Sequence, residues 1–308
     1  MRGLEQLRKE LAERGYSLRL LVDEPLSRHT SFAIGGPADL LLSAREPGEL
    51  RELVELARAN RVSVLVIGGG TNILVADKGV RGLVIVNECR GHAVNQDGML
   101  VAQSGALTSR LARKTCAHGW AGLAWAAGIP GTVGGAVVGN AGAYGGCMAD
   151  VVRWVTLMQA DGTVSRVGAD WLDYGYRASA LKACQHEHRP IVLEVGIQLR
   201  PGDAEELARK VEQIVGQRRV QTPQGHCAGS VFKRTLQYPA GFLIEQAGLK
   251  GKRIGGAEIS EKHANYVMNT GGATAADVRA LIELVQGKVL ADFGERLEIE
   301  IEFVGEWS

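Results

Sequence analysis

Several features are scarce or absent in this chain of 308 residues, and each absence excludes a class of protein. The five cysteines are odd in number, and no Cys-x-x-Cys or Cys/His pairing has the spacing of a zinc site. No metal site or disulfide framework is therefore predicted, and free thiols in a reducing compartment are expected. The 35 basic residues balance 34 acidic ones, so net charge gives no reason to expect a nucleic acid or an anionic membrane as partner.

Long apolar runs are also absent, because no uninterrupted stretch approaches the ~20 residues that a membrane-spanning helix needs. Residues 1–20 contain many charges and indicate an amphipathic helix, not a signal peptide. The chain is expected to be a soluble, cytoplasmic monomer. Its length and 45% hydrophobic content allow two or three domains with cores of their own.

The standard nucleotide-binding fingerprints are missing as well. The sequence GGGTNIL at 68–74 follows a predicted strand but has the spacing of neither G-x-G-x-x-G nor a P-loop. A second stretch, residues 126–142, is made almost entirely of glycine and apolar residues around Pro130. Glycine at this density lets backbone approach another body closely, and exposed N–H groups in such turns bind anions. Two such segments favour a large cofactor with a diphosphate over two structural turns.

Periodicity predicts mixed α and β structure. Helices are predicted at 1–20, 47–61, 107–118, 204–219, 241–248 and 274–290. Strands are predicted at 39–43, 62–67, 83–86, 153–158, 163–167, 191–200, 265–269 and 297–304. The two strands at 153–158 and 163–167 flank Ala160-Asp161-Gly162, which predicts a hairpin turn. Residues 220–229 are predicted to be a linker or an active-site loop.

Composition alone does not choose a reaction. Arg177 beside Tyr176 is typical of a salt bridge, and Ser230 on a glycine turn is typical of a cap or turn serine. No G-x-S-x-G motif surrounds Ser230, so serine-hydrolase chemistry is not indicated. Glu300 on the polar face of an alternating strand cannot be distinguished from Glu298 or Glu302. These residues indicate a cofactor-binding enzyme without naming its reaction.

Eight segments, in order along nearly the whole chain, resemble one family. They are HTSFAIGG (29–36), GGGTNILV (68–75), AGIPGTVGGAVVGNAGAYGG (127–146), GYRAS (175–179), AGSVFK (228–233), AGFLIEQAGLKGKRIGGAEIS (240–260), HANYVMN (263–269) and LEIEIEFVGE (297–306). The chain is identified by these segments as similar to the UDP-N-acetylenolpyruvoylglucosamine reductases, flavoenzymes of bacterial peptidoglycan synthesis. Any one segment is weak, but eight colinear matches are highly specific.

The resemblance implies an α+β fold: a two-subdomain FAD-binding fold of the vanillyl-alcohol-oxidase type plus a C-terminal α+β substrate-binding domain. The implied domains are residues 1–88, on which the C-terminal tail is expected to pack, then 89–203 and 204–308. It also implies an oxidoreductase in which NADPH reduces non-covalent FAD and the enolpyruvyl group of the UDP-sugar is then reduced to give UDP-N-acetylmuramate.

The same resemblance implies the site residues. Arg177 would bind the carboxylate and spread its developing charge, Glu300 would bind the other side of the enolic acid, and Ser230 would donate a proton. Substrate-binding positions are Tyr176, Lys233, Lys250 and His263, and Arg218 or Arg219 could meet a diphosphate. Cofactor-binding positions are Gly68, Gly69, Gly70, Thr71, Asn72, Ile73, Gly128, Ile129, Pro130, Gly131, Gly134, Gly135, Asn140 and Gly142.

The chain departs from the family pattern in two places. No tyrosine occurs from 177 to 237, which indicates the branch that lacks a substrate-capping tyrosine loop. Arg234-Thr235 replaces the Asn-Pro that follows the lysine in other members, so no contact of that asparagine is carried over. Two alternatives stay open at this point: another flavin oxidase or dehydrogenase of the same fold, and a non-catalytic nucleotide-sugar-binding protein.

Overall fold

The computed structural model describes residues 2–307 of the chain. Within that range the helices alternate with short strands throughout. The helices are α1 (Arg2–Glu13), α2 (Pro47–Ala59), α3 (Thr108–Ala117), α4 (Val133–Val138), α5 (Met148–Val151), α6 (Ala180–Ala183), α7 (Ala204–Gln221), α8 (Ala240–Gln246) and α9 (Ala275–Phe293).

The strands confirm the predicted mixture of α and β structure. They are β1 (Leu21–Pro25), β2 (Pro37–Ala44), β3 (Val64–Ile67), β4 (Ile73–Val75), β5 (Val80–Asn87), β6 (His92–Val94), β7 (Met99–Gln103), β8 (Trp120–Ala121), β9 (Gly142–Ala143), β10 (Gly146–Cys147), β11 (Val152–Met158), β12 (Val164–Gly168), β13 (Ile191–Gln198), β14 (Arg200–Pro201), β15 (Arg253–Ile254), β16 (Ala257–Ile259), β17 (Val267–Asn269) and β18 (Glu302–Val304).

The chain divides into two compact units. The first unit contains residues 1–21, 40–68 and 82–218, and the second contains 22–39, 69–81 and 219–308. The four-stranded sheet has the order β1-β2-β5-β3, and its strands β1, β2 and β5 contain residues of both units. Strand β3 pairs in parallel with β5.

The first unit also contains a five-stranded sheet of order β12-β11-β13-β7-β6. Its described pairings are antiparallel, and β11 and β12 form the predicted hairpin around Gly162. Helix α2 packs its buried leucines and valines with those of β2 and β5, because apolar residues recur at helical spacing on one face. Separate apolar clusters of the unit lie beneath the two sheets.

The second unit is built around α9, which buries Val278, Leu281, Ile282, Val285 and Val289 against α8 and the β15-β16-β17 sheet. Thr274 begins this helix with a capping box, since its hydroxyl accepts from the Asp277 amide and the Asp277 carboxylate accepts from the Thr274 amide. The carboxylate of Asp77 adds two more hydrogen bonds, from the amides of Ala275 and Ala276. Strand β18 pairs in parallel with β4.

Several sequence predictions need correction. The strand predicted at 297–304 is regular only at Glu302–Val304, because residues 298–300 pair with the loop at 231–233 rather than with a strand. The strand predicted at 265–269 begins at Val267, since the side chain of Asn265 bonds to the backbone of Phe232. The predicted loop at 220–229 begins after Gln221, where α7 ends.

Among the described residues, no helix is long and apolar enough to cross a membrane. The five cysteines are free thiols. The three-part division at residues 88 and 203 stays a prediction.

Two glycines of helix α9 and its C-terminus are expected to affect stability in opposite directions. Gly287 lies in the exposed middle of α9 with open space beside its Cα, so Gly287→Ala should raise the free energy of unfolding by about 0.5–1 kcal/mol. Gly294 ends the helix with φ +70°, a conformation that strains any other residue. Gly294→Ala should therefore lower the free energy of unfolding by about 1 kcal/mol. Urea unfolding followed by circular dichroism would measure both changes. If both variants were stabilised, or both destabilised, the different roles assigned to the two glycines would be wrong.

Candidate active site

In the first unit, the glycine-rich segment (residues 126–142) is packed by its own backbone against neighbouring loops. The first residue of the glycine loop (residues 68–73), Gly68, lies against the side chain of Thr132, where a Cβ would collide with Oγ1. A Cβ on Gly134 would lie 2.9 Å from Cβ of Ser104, whose carbonyl accepts the Gly134 amide at 2.8 Å. Glycine is therefore required at Gly68 and Gly134 by close approach.

Thr132 begins helix α4 and is buried. Its hydroxyl accepts from the amide of Gly135 at 3.4 Å, as expected of an N-cap residue. Gly135 itself is exposed, and a Cβ there would meet only Thr132 Oγ1 at 3.6 Å. The segment therefore presents bare backbone to an open side. A flat ring or a phosphate group fits such a surface, so the residues present are compatible with FAD.

Arg177 is anchored on this same segment. Its Nη2 donates to the carbonyl of Gly142 at 2.7 Å, and Nη1 lies 3.4 Å from the carbonyl of Asn140. The Asn140 side chain donates to the carbonyl of Gly175 at 2.8 Å and accepts from the amide of Ala149. Arg177 and Asn140 both have positive φ, +52° and +42°, a backbone conformation that is uncommon outside glycine and is enriched at functional sites.

Ser179 adds a further link between the glycine-rich segment and the segment that carries Arg177. Its hydroxyl donates to the carbonyl of Val138 at 2.6 Å and accepts from the amide of Lys182. The guanidinium carbon of Arg177 lies 5.6 Å from the ring centre of Tyr176, which is 55% exposed. The Tyr176-Arg177 pair thus presents an aromatic ring and a fixed cation at the edge of the glycine-rich segment.

The two arginines near the end of α7 have different surroundings. Arg218, in the first unit, lays its aliphatic stem over Gly128, where a Cβ would come within 2.6 Å of its Cδ. Arg219, in the second unit, is exposed, and its carbonyl accepts from Nζ of Lys262 at 3.1 Å. Arg218 is therefore the arginine that contacts the glycine-rich segment.

In the second unit, the rest of the glycine loop is bonded to the segment that carries Glu300. Gly70 has φ +59° and packs directly against the carbonyl of His29. Asn72 donates from its side chain to the carbonyl of Glu300 at 3.3 Å, and its own carbonyl accepts from the amide of Glu302 at 2.9 Å. Asn72 therefore fixes the backbone on both sides of residue 301.

Ser230 and Glu300 lie on neighbouring backbone segments. The amide of Glu300 donates to the carbonyl of Val231 at 2.8 Å, and Phe232 forms an antiparallel bridge with Ile299. Ser230 bridges Tyr266 on its other side. The structure thus brings together two of the three predicted catalytic residues, although the sequence separates them by seventy positions.

Asn265 is a positioning residue that sequence reasoning missed. It is 7% exposed, and its side-chain amide bonds both backbone polar groups of one residue: Oδ1 accepts from the amide of Phe232 at 2.9 Å, and Nδ2 donates to the carbonyl of Phe232 at 2.8 Å. The side-chain amide of Asn265 thus makes the two hydrogen bonds that a neighbouring strand would otherwise make to Phe232. It fixes the backbone between Ser230 and Lys233. The only signal in the sequence was its place in HANYVMN.

The two lysines predicted to bind substrate are each paired with a more exposed glutamate. Nζ of Lys233 lies 3.1 Å from Glu298, whose side chain is 74% exposed, and Nζ of Lys250 lies 2.6 Å from Glu245. Such pairs contribute little to stability, because solvent screens them. Both cations are therefore held in place by anions that an incoming phosphate could replace.

His263 is half-buried beside Lys250. Its ring meets that of Tyr266 edge-on at 4.9 Å, and Cε1 lies 3.1 Å from the position of a Cβ on Gly241, so a side chain at that position would crowd the imidazole. Burial lowers the pKa of His263 below its ordinary value of 6.5, and the charge of Lys250 also lowers it, while a backbone hydrogen bond and the charge of Glu245 partly oppose the change. The imidazole is therefore neutral at pH 7.

The division into units separates the predicted site residues into two groups. Arg177, Tyr176, Gly68 and the predicted cofactor residues of the glycine-rich segment belong to the first unit. The second unit contains Ser230, Glu300, Lys233, Lys250, His263 and residues 69–73 of the glycine loop. Within residues 2–307, no group of three or more histidine, cysteine, aspartate or glutamate side chains is arranged to hold a metal ion.

Comparison with known proteins defines the class. Residues 38–168 match the model of an FAD-binding domain, and residues 221–304 match that of the UDP-N-acetylenolpyruvoylglucosamine reductase C-terminal domain. The chain is an FAD-dependent oxidoreductase, and its predicted fold class, an FAD-binding fold followed by a C-terminal domain, is confirmed.

Relatives define the family. UDP-N-acetylenolpyruvoylglucosamine reductase of Heliobacterium modesticaldum is 44% identical over 92% of this chain and 90% of its own length. That of Rubrobacter xylanophilus is 46% identical over 92% and 95%. The crystal structure of UDP-N-acetylenolpyruvylglucosamine reductase from Thermus caldophilus matches with a TM-score of 0.76 at 32% identity, covering 94% of this chain and 98% of that chain. This chain belongs to the UDP-N-acetylenolpyruvoylglucosamine reductase family.

The electrostatic environment of His263 can be tested directly. Removing the charge of Lys250 in Lys250→Gln should raise the pKa of His263 toward 6.5, because a nearby cation disfavours the imidazolium. NMR titration of the imidazole resonances would measure the change, with His263→Gln used for assignment. Lys252→Gln, an exposed neighbour, is the matched control. An unchanged pKa in Lys250→Gln would contradict the proximity of the two groups.

Proposed function

We propose that this chain reduces the enolpyruvyl group of UDP-N-acetylenolpyruvoylglucosamine with electrons from NADPH and so supplies UDP-N-acetylmuramate for peptidoglycan synthesis. The observation that carries the proposal is the pairing of the backbone segments that contain Ser230 and Glu300, through the Glu300 amide and the Val231 carbonyl, together with the hydrogen bond from Asn72 of the glycine loop to the carbonyl of Glu300. A proton donor and a carboxylate beside a cofactor loop suit a reduction that ends in protonation. The names of the relatives supply the substrate.

FAD is proposed to be held non-covalently by backbone more than by side chains. The proposed contacts are those of the glycine loop and the glycine-rich segment, namely Gly68, Gly69, Gly70, Thr71, Asn72, Ile73, Gly128, Ile129, Pro130, Gly131, Gly134, Gly135, Asn140 and Gly142. When bound, FAD supplies hydride chemistry between NADPH and the substrate. The aliphatic stem of Arg218 lies over Gly128. Its guanidinium is therefore proposed to bind the diphosphate of FAD near this segment.

Arg177 is proposed to bind the carboxylate of the enolpyruvyl group. Its guanidinium is always charged, and the carbonyls of Gly142 and Asn140 fix its direction. Hydride addition at C3 of the enolpyruvyl group leaves negative charge at C2, which is conjugated with that carboxylate. A fixed cation at the carboxylate therefore interacts more strongly with the transition state than with the substrate.

Ser230 is proposed to donate the proton that completes the reduction at C2. A serine hydroxyl is a weak acid, but it can protonate a strongly basic carbanion when nearby positive charge stabilises the alkoxide. Lys233 lies on the same segment, and Asn265 fixes the backbone between the two residues. Glu300 is proposed to hydrogen-bond the enolic acid from the neighbouring segment.

The remaining polar groups of the second unit are proposed to bind the UDP-sugar. Lys233 and Lys250 would exchange their glutamate partners for phosphate oxygens, and neutral His263 would act as a hydrogen-bonding group, not a cation. Tyr176 of the first unit is proposed as a further substrate contact. Preference for NADPH, a monomeric state and a cytoplasmic location are parts of the same proposal.

Anaerobic spectroscopy of the purified protein tests the function. We expect a yellow protein that NADPH bleaches, and rapid recovery of the colour on addition of UDP-N-acetylenolpyruvoylglucosamine. An oxidase would recover its colour rapidly with oxygen and not with the UDP-sugar. A protein that could not be reconstituted with FAD would refute the proposal together with any other flavoenzyme activity.

The role of Ser230 is tested by separating the two half-reactions. In Ser230→Ala, reduction of FAD by NADPH should keep its wild-type rate, while oxidation by the UDP-sugar should fall by about 10²–10⁴-fold, because general-acid catalysis is lost. Stopped-flow absorbance at the flavin band measures both rates. Ser165→Ala, on the exposed face of β12, is the control for loss of a serine hydroxyl. A wild-type second half-reaction in Ser230→Ala would show that another group is the proton donor.

A further inference from the structure

Ser31 lies between the glycine loop and the segment that leads to Ser230. Its hydroxyl donates to the carbonyl of Cys227 at 2.7 Å. Its amide donates to the carbonyl of Gly70 at 3.0 Å, and that carbonyl is also 3.3 Å from the hydroxyl oxygen. A hydroxyl has one proton, so the shorter contact identifies Cys227 as its main acceptor and leaves the Gly70 carbonyl to the amide.

The loop that carries Ser31 is itself held firmly within the second unit. Thr30 is buried and donates from its hydroxyl to the carbonyl of Ile34 at 2.9 Å. Phe32 is fully buried in the apolar core, and the side chain of Asn269 donates to its carbonyl at 3.1 Å. Ser31 is therefore a fixed donor, since the residues on both sides of it cannot move freely.

In the segment from Cys227 to Ser230, Ala228 is buried in the apolar core. The amide of Asn269 donates to the carbonyl of His226 at 2.9 Å, and the next backbone pairing is the bridge of Ser230 with Tyr266. Between them lies Gly229, with φ +78° and nothing near its Cα. Because glycine offers the widest choice of backbone conformations, the direction of Ser230 depends on how the residues before Gly229 are held.

We propose that Ser31 is a positioning residue that fixes the proton donor relative to the glycine loop. Its amide bonds Gly70 and its hydroxyl bonds Cys227, so one residue joins a loop proposed to bind FAD to a turn proposed to carry the catalytic acid. The inference rests on the proposed function, because it assigns Ser31 to the protonation step. Loss of the hydroxyl alone should leave the Gly70 contact in place, since that contact uses the backbone.

The test compares Ser31→Ala with Ser31→Thr in the FAD-loaded enzyme. In Ser31→Ala we expect FAD affinity and the rate of reduction by NADPH to stay within twofold of wild type. Oxidation by the UDP-sugar should slow by about threefold to tenfold, the loss that matches one hydrogen bond. Its solvent deuterium isotope effect should rise, because proton transfer becomes more rate-limiting. Ser31→Thr keeps the hydroxyl and should restore both values.

A measurement without substrate gives a second readout. Hydrogen exchange of the amide of Val231, which donates to the carbonyl of Asn265 at 2.9 Å, should become faster in Ser31→Ala than in wild type and Ser31→Thr, since the segment before it loses one hydrogen bond at Cys227. Flavin content and far-ultraviolet circular dichroism show that each variant is folded. Unchanged exchange and an unchanged second half-reaction in Ser31→Ala would overturn the inference.

Failure of the inference is distinguishable from failure of the proposed function. If wild-type enzyme is not reduced by NADPH, or is not reoxidised by the UDP-sugar, the proposed function is wrong and exchange alone reports on Ser31. If wild type completes both half-reactions and Ser31→Ala slows both equally, Ser31 is a general structural residue and not a positioning residue for protonation.

Discussion

The backbone carbonyls of the two glycine segments are the groups on which the proposed catalytic side chains depend. In the first unit, the carbonyls of Gly142 and Asn140 receive the guanidinium of Arg177. In the second unit, Asn72 of the glycine loop bonds the backbone of Glu300, and the carbonyl of Gly70 receives the amide of Ser31. The segments that are proposed to hold the cofactor therefore also fix the reacting groups. Neither segment contributes an acid or a base, yet each sets the position of a proposed catalytic residue.

The hydrogen bonds that position the proposed catalytic side chains also stabilise the glycine segments. A buried carbonyl that loses its donor costs about 1–3 kcal/mol, so a displaced Arg177 would leave unsatisfied groups in the glycine-rich segment as well as an unfixed cation. Glycine makes the coupling possible, because side chains at Gly68 and Gly134 would collide with Thr132 and Ser104 and push the carbonyls away. Changes of residue type at these positions therefore affect the cofactor segment and its anchored side chain together.

Regular elements could be predicted from the sequence, whereas the contacts that position the site could not. Helix α9 and the β11–β12 hairpin follow from local periodicity and turn chemistry, which a single sequence displays. The family resemblance singled out Arg177, Ser230 and Glu300, but not the residues that hold them. Asn265 and Ser31 act through long-range bonds to the backbone of Phe232 and Cys227, and a polar side chain in a loop gives no sign of its partner. For the same reason the alternation at 297–304 overestimated the length of β18, since its neighbours are a loop and a side-chain amide.

The choice of a hydroxyl as the proposed acid is consistent with the electrostatics of the second unit. Burial lowers the pKa of His263, so at neutral pH its imidazole is not in the protonated, cationic form that would act as a general acid. Lys233 and Lys250 are each paired with a glutamate, an arrangement that suits anion binding. A serine hydroxyl keeps its proton at every physiological pH, and only a strongly basic acceptor can remove it. Ser230 would therefore protonate the substrate carbanion and nothing weaker, which confines proton loss to the moment after hydride addition.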